Sequence, residues 1–355
     1  MDQFLYGIPL LGLLFQVVGY LIAVLPTSAP IILRAATPLG FGALCGVVCE
    51  RSGIVNIGIE GTMLTAAFTG WVVAIATVAV LGPADPGPLG ITPALIIGLV
   101  AAILSAVGVS LLHAWLSISL RTDQIISGTI INIAAFGITG YLNNVISAAS
   151  PTSAGQFLKI TPPTELTDLP VIGWLVETLL NQGPITISLI VCTVILQLLL
   201  FRSRWGLRTR AVGEHPKAAE TVGIDVIRLR YRNVLIGGVF AGLGGAFLSM
   251  ELSNSFQAGG TAGRGFIALA AMIVGRWTPI GAFGAALMFS LFLTLGQTIK
   301  FAPPPGQLGD VVAALPDQVF SALPYLVTII VLAGLIGRST PPAADGRPYE
   351  REATA

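Results

Sequence analysis

Few side chains in this chain of 355 residues could make or break a bond. Its two histidines, His113 and His215, belong to no HExxH pair, and no GxSxG elbow exposes a nucleophile on a strained turn. No GxxxxGK followed by Ser or Thr occurs, nor any Gly-Lys dipeptide, so the chain lacks the loop that cradles nucleotide phosphates. Cys45, Cys49 and Cys192 fall in or beside apolar stretches at no zinc or disulfide spacing, and read as small buried hydrophobes. We therefore expect no catalytic residue, no metal and no cofactor. What remains is a sparse polar set inside apolar sequence, chiefly Asn56, Glu60, Asn132 and Glu251. A charge at a helix centre costs roughly 2.5 to 3.5 kcal/mol on insertion scales, so these groups must be paired, sit near an interface, or face a polar cavity. Beyond such pairing, the chemistry open to them is hydrogen bonding between helices or to a polar solute. Glu60 either pairs with an arginine such as Arg51 or meets the solute. Asn132, the furthest from either end of its span, either lines a pathway or bonds between helices.

The elements that must hold these groups follow from composition. Hydrophobic residues make up 54% of the chain and charged residues 10%, against about 25% charged in soluble domains. The chain is an all-α, polytopic membrane bundle. A hydrocarbon core of ~30 Å needs ~20 residues per helix. Apolar stretches near 8–25, 29–48, 57–81, 93–117, 123–146, 184–201, 233–251, 264–276, 279–299 and 321–337 predict about ten transmembrane helices within a permease domain over 1–338. The first has no basic flank before it and reads as a retained span, not a signal peptide. The stretch 264–276 is too short to cross, and Gly259, Gly260, Gly263 and Gly265 precede it, which predicts a broken or re-entrant element. Gly53, Gly58 and Gly61 mark a similar interruption before Glu60, and the Gly238/Gly242 pair predicts close helix packing.

Between two apolar spans lies a basic segment, 202–232, holding eight of the 18 Lys and Arg residues. Such clustering marks the cytoplasmic side. With that segment inside, fourteen of the 18 basic residues fall inside, and ten spans put both termini in the cytoplasm. Loops 147–183 and 300–320 then face outward, and a tail at 339–355, rich in Pro, Ala and charge, is expected to be disordered. Within the basic segment, Pro216 suits a first helical position and Gly223 the position just past a helix end, predicting a helix over 216–222. Two turns cannot persist alone in water, so a partner or the chain itself must hold them. Small residues Ala218 and Ala219 would admit a close surface.

Three blocks together resemble the permease subunits of bacterial ATP-binding-cassette importers for nucleosides and simple sugars, within the group that includes ribose and branched-chain amino acid permeases. They are Glu50 to Gly61; Arg210 to Ser249, with its Ala211-Val212-Gly213-Glu214; and Thr261 to Ile273. The resemblance implies two inverted-topology halves in a bacterial plasma membrane protein. It implies a second permease subunit, a pair of ABC ATPase subunits, and a substrate-binding lipoprotein as partners alongside membrane lipid. It also implies that Gly213, Glu214, Pro216, Ala218, Ala219 and Gly223 belong to the helix that couples to the ATPase. Nothing in the charge pattern suggests nucleic acid. The rival reading is an ion-coupled secondary transporter, which would need a coupling site deep in the membrane near Glu60 or Glu251.

Overall fold

The computed structural model describes residues 9–350, apart from 88, 150–152, 170–171 and most of 302–338. All regular structure among the described residues is helical. The first helix, α1, runs unbroken over Pro9–Glu50. After an unwound stretch come α2 (Ile59–Leu81), α3 (Pro93–Ala114, continued by a π-turn to Ser119) and α4 (Gln124–Ala149). The next connection carries the short α5 (Thr164–Thr167) and α6 (Gly173–Leu180), the latter on the apolar piece of the 147–183 loop. Then follow α7 (Pro184–Arg202), α8 (Arg204–Glu214), α9 (Pro216–Thr221), α10 (Val226–Ala246, with a π-turn to Leu252), α11 (Arg264–Val274) and α12 (Pro279–Phe301).

Seven of these helices are long and apolar enough to cross a membrane, and α11 is the short interrupted element the sequence predicts. Two expectations change. The stretches 8–25 and 29–48 are one helix of 42 residues, about 62 Å long. Pro26 and Pro30 fall at the boundary between the two expected spans, yet a membrane helix can keep a proline, since neighbouring helices, side chains and local adjustments take up the freed backbone. Side chains also bond carbonyls near these prolines, Thr27 Oγ1 donating to Val24 O at 2.9 Å and Gln182 Nε2 to Pro30 O at 3.0 Å, although neither acceptor is one the prolines free. The stretch 321–337 lies almost wholly outside the described residues.

The second change concerns the tail. Residues 339–350 pack across the end of the bundle that carries α8 and α9, with Ala344 and Tyr349 buried, instead of being disordered as composition suggested. Composition missed this because the segment is held by backbone hydrogen bonds and by one aromatic anchor. Residues 351–355 lie outside the described set.

The core is built around α1 and α10, whose apolar windows are 83% and 78% buried, whereas those of α3 and α4 are 28% buried and form the outer surface. Close packing follows from small residues. A Cβ on Gly242 would lie 2.8 Å from the Ile103 Cα, and one on Gly238 2.6 Å from Ser110 Oγ, so the predicted glycine pair lets α10 press against α3.

Crossing once, a continuous α1 would carry its N-terminal end to the side away from Glu50, which is outside when the basic segment faces the cytoplasm as its charge predicts. A Gly19→Cys variant should therefore react with a membrane-impermeant maleimide added outside intact cells. Labelling only after the inner side is exposed would restore the two-span reading.

Candidate pathway and coupling sites

Between α1 and α2 the chain unwinds over residues 51–58, where each backbone N–H and C=O must find a partner other than water. Side chains of α3 and α4 supply several. His113 Nε2 lies 3.0 Å from Val55 O and must donate to it, so its Nδ1 accepts from Ser127 Oγ at 3.1 Å. Gln124 Oε1 accepts from Val55 N at 2.7 Å. Asn132 donates to Ile57 O at 3.0 Å and accepts from Gly61 N at 2.7 Å. Asn132 thus clamps the start of α2. It stands eight residues, about 12 Å, along α4 from Gln124, so the unwound chain reaches well into the bundle. Asn56 is buried, its Nδ2 3.8 Å from both Cys45 Sγ and Cys49 Sγ, facing the core.

Glu60, at the head of α2, meets the head of α11. Its Oε1 accepts from Gly263 N at 2.7 Å and its Oε2 from Gly265 N at 2.5 Å. The reason is electrostatic: the first N–H groups of a helix are unpaired and its dipole is positive there, so a carboxylate satisfies both. Gly263 holds φ +80°, and a Cβ on Gly265 would sit 2.7 Å from the Glu60 backbone, so only glycine permits this approach. Arg51 does not pair with Glu60 as expected. Its Nε donates to Trp277 O at 2.8 Å and its Nη2 to Arg276 O at 3.2 Å, closing the turn after α11. Both turn residues carry positive φ, a conformation that needs such support.

Glu251 plays the same part elsewhere. Its carboxylate accepts from Ile185 N at 2.7 Å, Thr186 N at 3.2 Å and Thr186 Oγ1 at 2.6 Å at the head of α7, while Arg34 Nη2 donates to Glu251 O at 2.6 Å. Both acidic residues singled out in the sequence are therefore helix caps. Beside the Glu60 cap lies a small cavity of about 110 Å³ with Ser249, Ser253, Gln257, Thr261 and Arg264 in its lining. Ser249 Oγ is buried without a hydrogen-bond partner. None of these five was singled out by the sequence, where serine and threonine among glycines look like packing; the nearest signal was the Gly259–Gly265 interruption.

At the opposite end of α11, Trp277 Nε1 donates to Glu50 Oε2 at 2.6 Å. Next to it, α8 and α9 form an angled ledge. Ser203 Oγ caps α8 by accepting from Gly206 N, and Asp225 caps α10 by accepting from Arg228 N. The observed α9, Pro216–Thr221, opens with Pro216 at its first position, and Gly223 follows at φ +84°, as the spacing predicts. Gly213 lies so close to the 51–58 segment that a Cβ would sit 2.3 Å from Arg51 O. The two alanines differ. Ala219 is buried with Val212, Val226 and Tyr349, while Ala218 is exposed beside Lys217, Thr221 and the 75% exposed Val222. The outward surface of the ledge is therefore Lys217, Ala218, Thr221 and Val222, with Glu214 and His215 at its edge.

Residues 29–332 match the family described as branched-chain amino acid transport system, permease component. The chain belongs to this family. Among its relatives is the guanosine ABC transporter permease of Bacillus subtilis, 38% identical over 331 residues, covering 93% of this chain and 98% of the relative. The nucleoside ABC transporter permease of Lactococcus lactis is 38% identical over 314 residues, covering 88% and 93%. The putative glucose ABC transporter permease of Haloferax volcanii is 32% identical over 333 residues, covering 90% and 96%. No solved structure matches. The chain is thus the permease subunit of an ABC importer, a multi-pass membrane protein.

Two predictions follow from the permease's charged contacts. Glu60→Ala leaves the α11 N–H groups unpaired and should cost about 1.5 to 3 kcal/mol, with Glu60→Gln costing less, read as a lower unfolding midpoint in detergent. An unchanged midpoint in both would show that the carboxylate holds nothing. For Asp345 in the tail, desolvation pushes the carboxyl up to about 6, against the lowering effects of Glu50, the Gly346 N–H and Arg230. A pKa raised on folding favours the folded state below the ordinary value of 3.8, and that contribution is lost as pH rises through about 6. The unfolding midpoint of the wild type, minus that of Asp345→Asn, should accordingly fall as pH is raised from about 4 to about 6.5; a difference that is flat or rising would refute the assignment.

Proposed function

We propose that this permease carries a nucleoside inward, as one of two permease subunits seated on separate ABC ATPase subunits, after delivery by a binding lipoprotein. The observation that carries the reading is the ledge. A helix of six residues with an exposed Ala218 and Val222 is held by its own protein on one side and left open on the other, which suits insertion into a groove of an ATPase. Guanosine and nucleosides are named for the relatives at 38% identity. A simple sugar is the second reading, favoured by the relative named for glucose. The solute path would pass the Glu60 cap, with Asn56, Asn132 and Glu251 as framework and Ser249, Gln257 and Arg264 as the groups that meet a hydroxyl.

The architecture we propose has two inverted halves. Its support is the meeting of two interrupted helix starts, Gly58–Gly61 and Gly263–Gly265, at one carboxylate, as a pseudo-twofold axis in the membrane plane would produce. With α1 counted once and 321–337 as the last span, the expected ten helices become nine. The ledge and the C-terminal tail then share the cytoplasmic side of the bacterial plasma membrane, and the N-terminus lies opposite.

Uptake of labelled guanosine, with glucose as competitor, tests the reading in cells whose partner ATPase carries a dead Walker lysine. Uptake lost without this chain and lost with the dead ATPase is the expected outcome; uptake that survives the dead ATPase would move the assignment to ion-coupled transport. At the ledge, Ala218→Asp or Val222→Asp should lower ATPase co-purification about tenfold or more while membrane insertion stays normal. Ala219→Asp should instead destabilise the permease, because its side chain points into the Val212, Val226 and Tyr349 cluster.

A further inference from the structure

The packed tail touches both the ledge and the membrane helices. Toward the ledge, Ala344 N donates to Gly213 O at 2.8 Å, Ala343 N to Glu214 Oε2 at 3.1 Å, and the Tyr349 hydroxyl to Glu220 Oε2. The Tyr349 ring also completes the apolar cluster of Val212, Ala219 and Val226. Toward the body, Ser339 Oγ donates to Ile273 O at 2.9 Å, and Arg230 Nη1 donates to Arg347 O at 3.1 Å. Arg230 is almost fully buried; its guanidinium lies 6.0 Å from the Tyr349 ring centroid and its Nε donates to Ser52 O at 3.0 Å. At its far end Glu350 pairs with Arg121 at 2.8 Å, an exposed contact worth little by itself.

These contacts form a route. Ile273 is in the last turn of α11, the half-length helix whose first N–H groups rest on Glu60. Ser52 belongs to the unwound segment that leads to Glu60 from the other side. Without the tail, α8 is still held to the body, because Trp205 and Thr209 bond Asn233 of α10 and Gly213 rests against Arg51, but α9 hangs between the His215 corner and residues 222–225, which include a glycine at positive φ, so a push on α9 could be absorbed there. A packed segment bonded to both parts would pass it on.

We propose that residues 339–350 are a transmission strap: they lock α9 to the C-terminal end of α11 and to the 51–58 segment, so that movement imposed on the ledge reaches the two helix starts that meet at Glu60. Tyr349 and Glu220 are its positioning residues. The proposal rests on the ledge being the ATPase docking surface. It assigns to the tail a part in coupling that neither its composition nor the reading of α9 as a docking helix contains.

The test uses the whole importer, permeases with ATPases and binding protein, in proteoliposomes, and reads uptake per ATP hydrolysed. Tyr349→Phe removes the donor and Glu220→Ala the acceptor of the same contact, leaving the ring and the fold in place; truncation after residue 338 removes the strap. The strap predicts that both point variants keep the ATPase bound and hydrolysing while uptake per ATP falls about tenfold, within the usual range of coupling free energies. It also predicts that the double variant is no worse than either single one. A wild-type ratio in the point variants overturns the proposal, and so does loss of the ATPase from the complex, which would make the tail part of the docking surface. The docking reading fails separately, if Ala218→Asp keeps the ATPase.

Discussion

Glu60 accepting the first N–H groups of α11 is the contact on which the arrangement turns. An apolar layer offers no water to a helix that begins inside it, so a broken helix can exist there only if a side chain takes up its unpaired donors. Equally, a carboxylate can remain there only if something offsets its charge. Each problem solves the other. The helix start provides two N–H donors and the positive end of a dipole; Glu60 provides two oxygens at 2.5 and 2.7 Å. The glycines at 263 and 265 are consequences of that contact, since the chain must turn at positive φ and then approach Glu60 backbone to backbone.

The same solution appears at Glu251 and the head of α7, with Arg34 steadying the backbone behind the carboxylate. The unwound 51–58 segment is handled by neutral donors and acceptors instead: His113, Gln124 and Asn132 each satisfy backbone groups that helix geometry leaves open. The bundle is thus interrupted twice in its interior and each interruption is paired with side chains from a distant part of the chain. Such joints can shift as units, because their partners sit on different helices, and they are where an alternating-access movement would have to act. The end that carries the ledge supplies the lever. There α8 and α9 rest on the 51–58 segment through Gly213 and on the tail through Tyr349.

Much of this was legible in the residues. The membrane class, the short element after the 259–265 glycines, the capped helix at 216 and the close approach at Gly238 and Gly242 each follow from a local rule of composition, spacing or conformational preference. What was not legible was pairing. Glu60 and Arg51 are near in sequence and opposite in charge, so a mutual ion pair was the natural reading, but each is taken by a distant backbone turn. Asn132 looked like a pathway residue because it lies mid-span, and is a clamp on backbone 71 to 75 positions away. Ala218 and Ala219 are chemically alike, and only the direction of the side chain makes one a surface and the other core.

The sequence by itself determined that this chain lives in a membrane, carries no Walker-type nucleotide loop, and presents a short capped helix on its basic side. These depend on the solvent each residue requires and on backbone preferences that act within a few positions. The tertiary structure decided that α1 is one helix, that the tail is packed, and what the buried charges do. Those outcomes depend on which donor meets which acceptor across more than 200 residues, as between Glu60 and Gly263. A rule that looks along the chain cannot register a contact made across it.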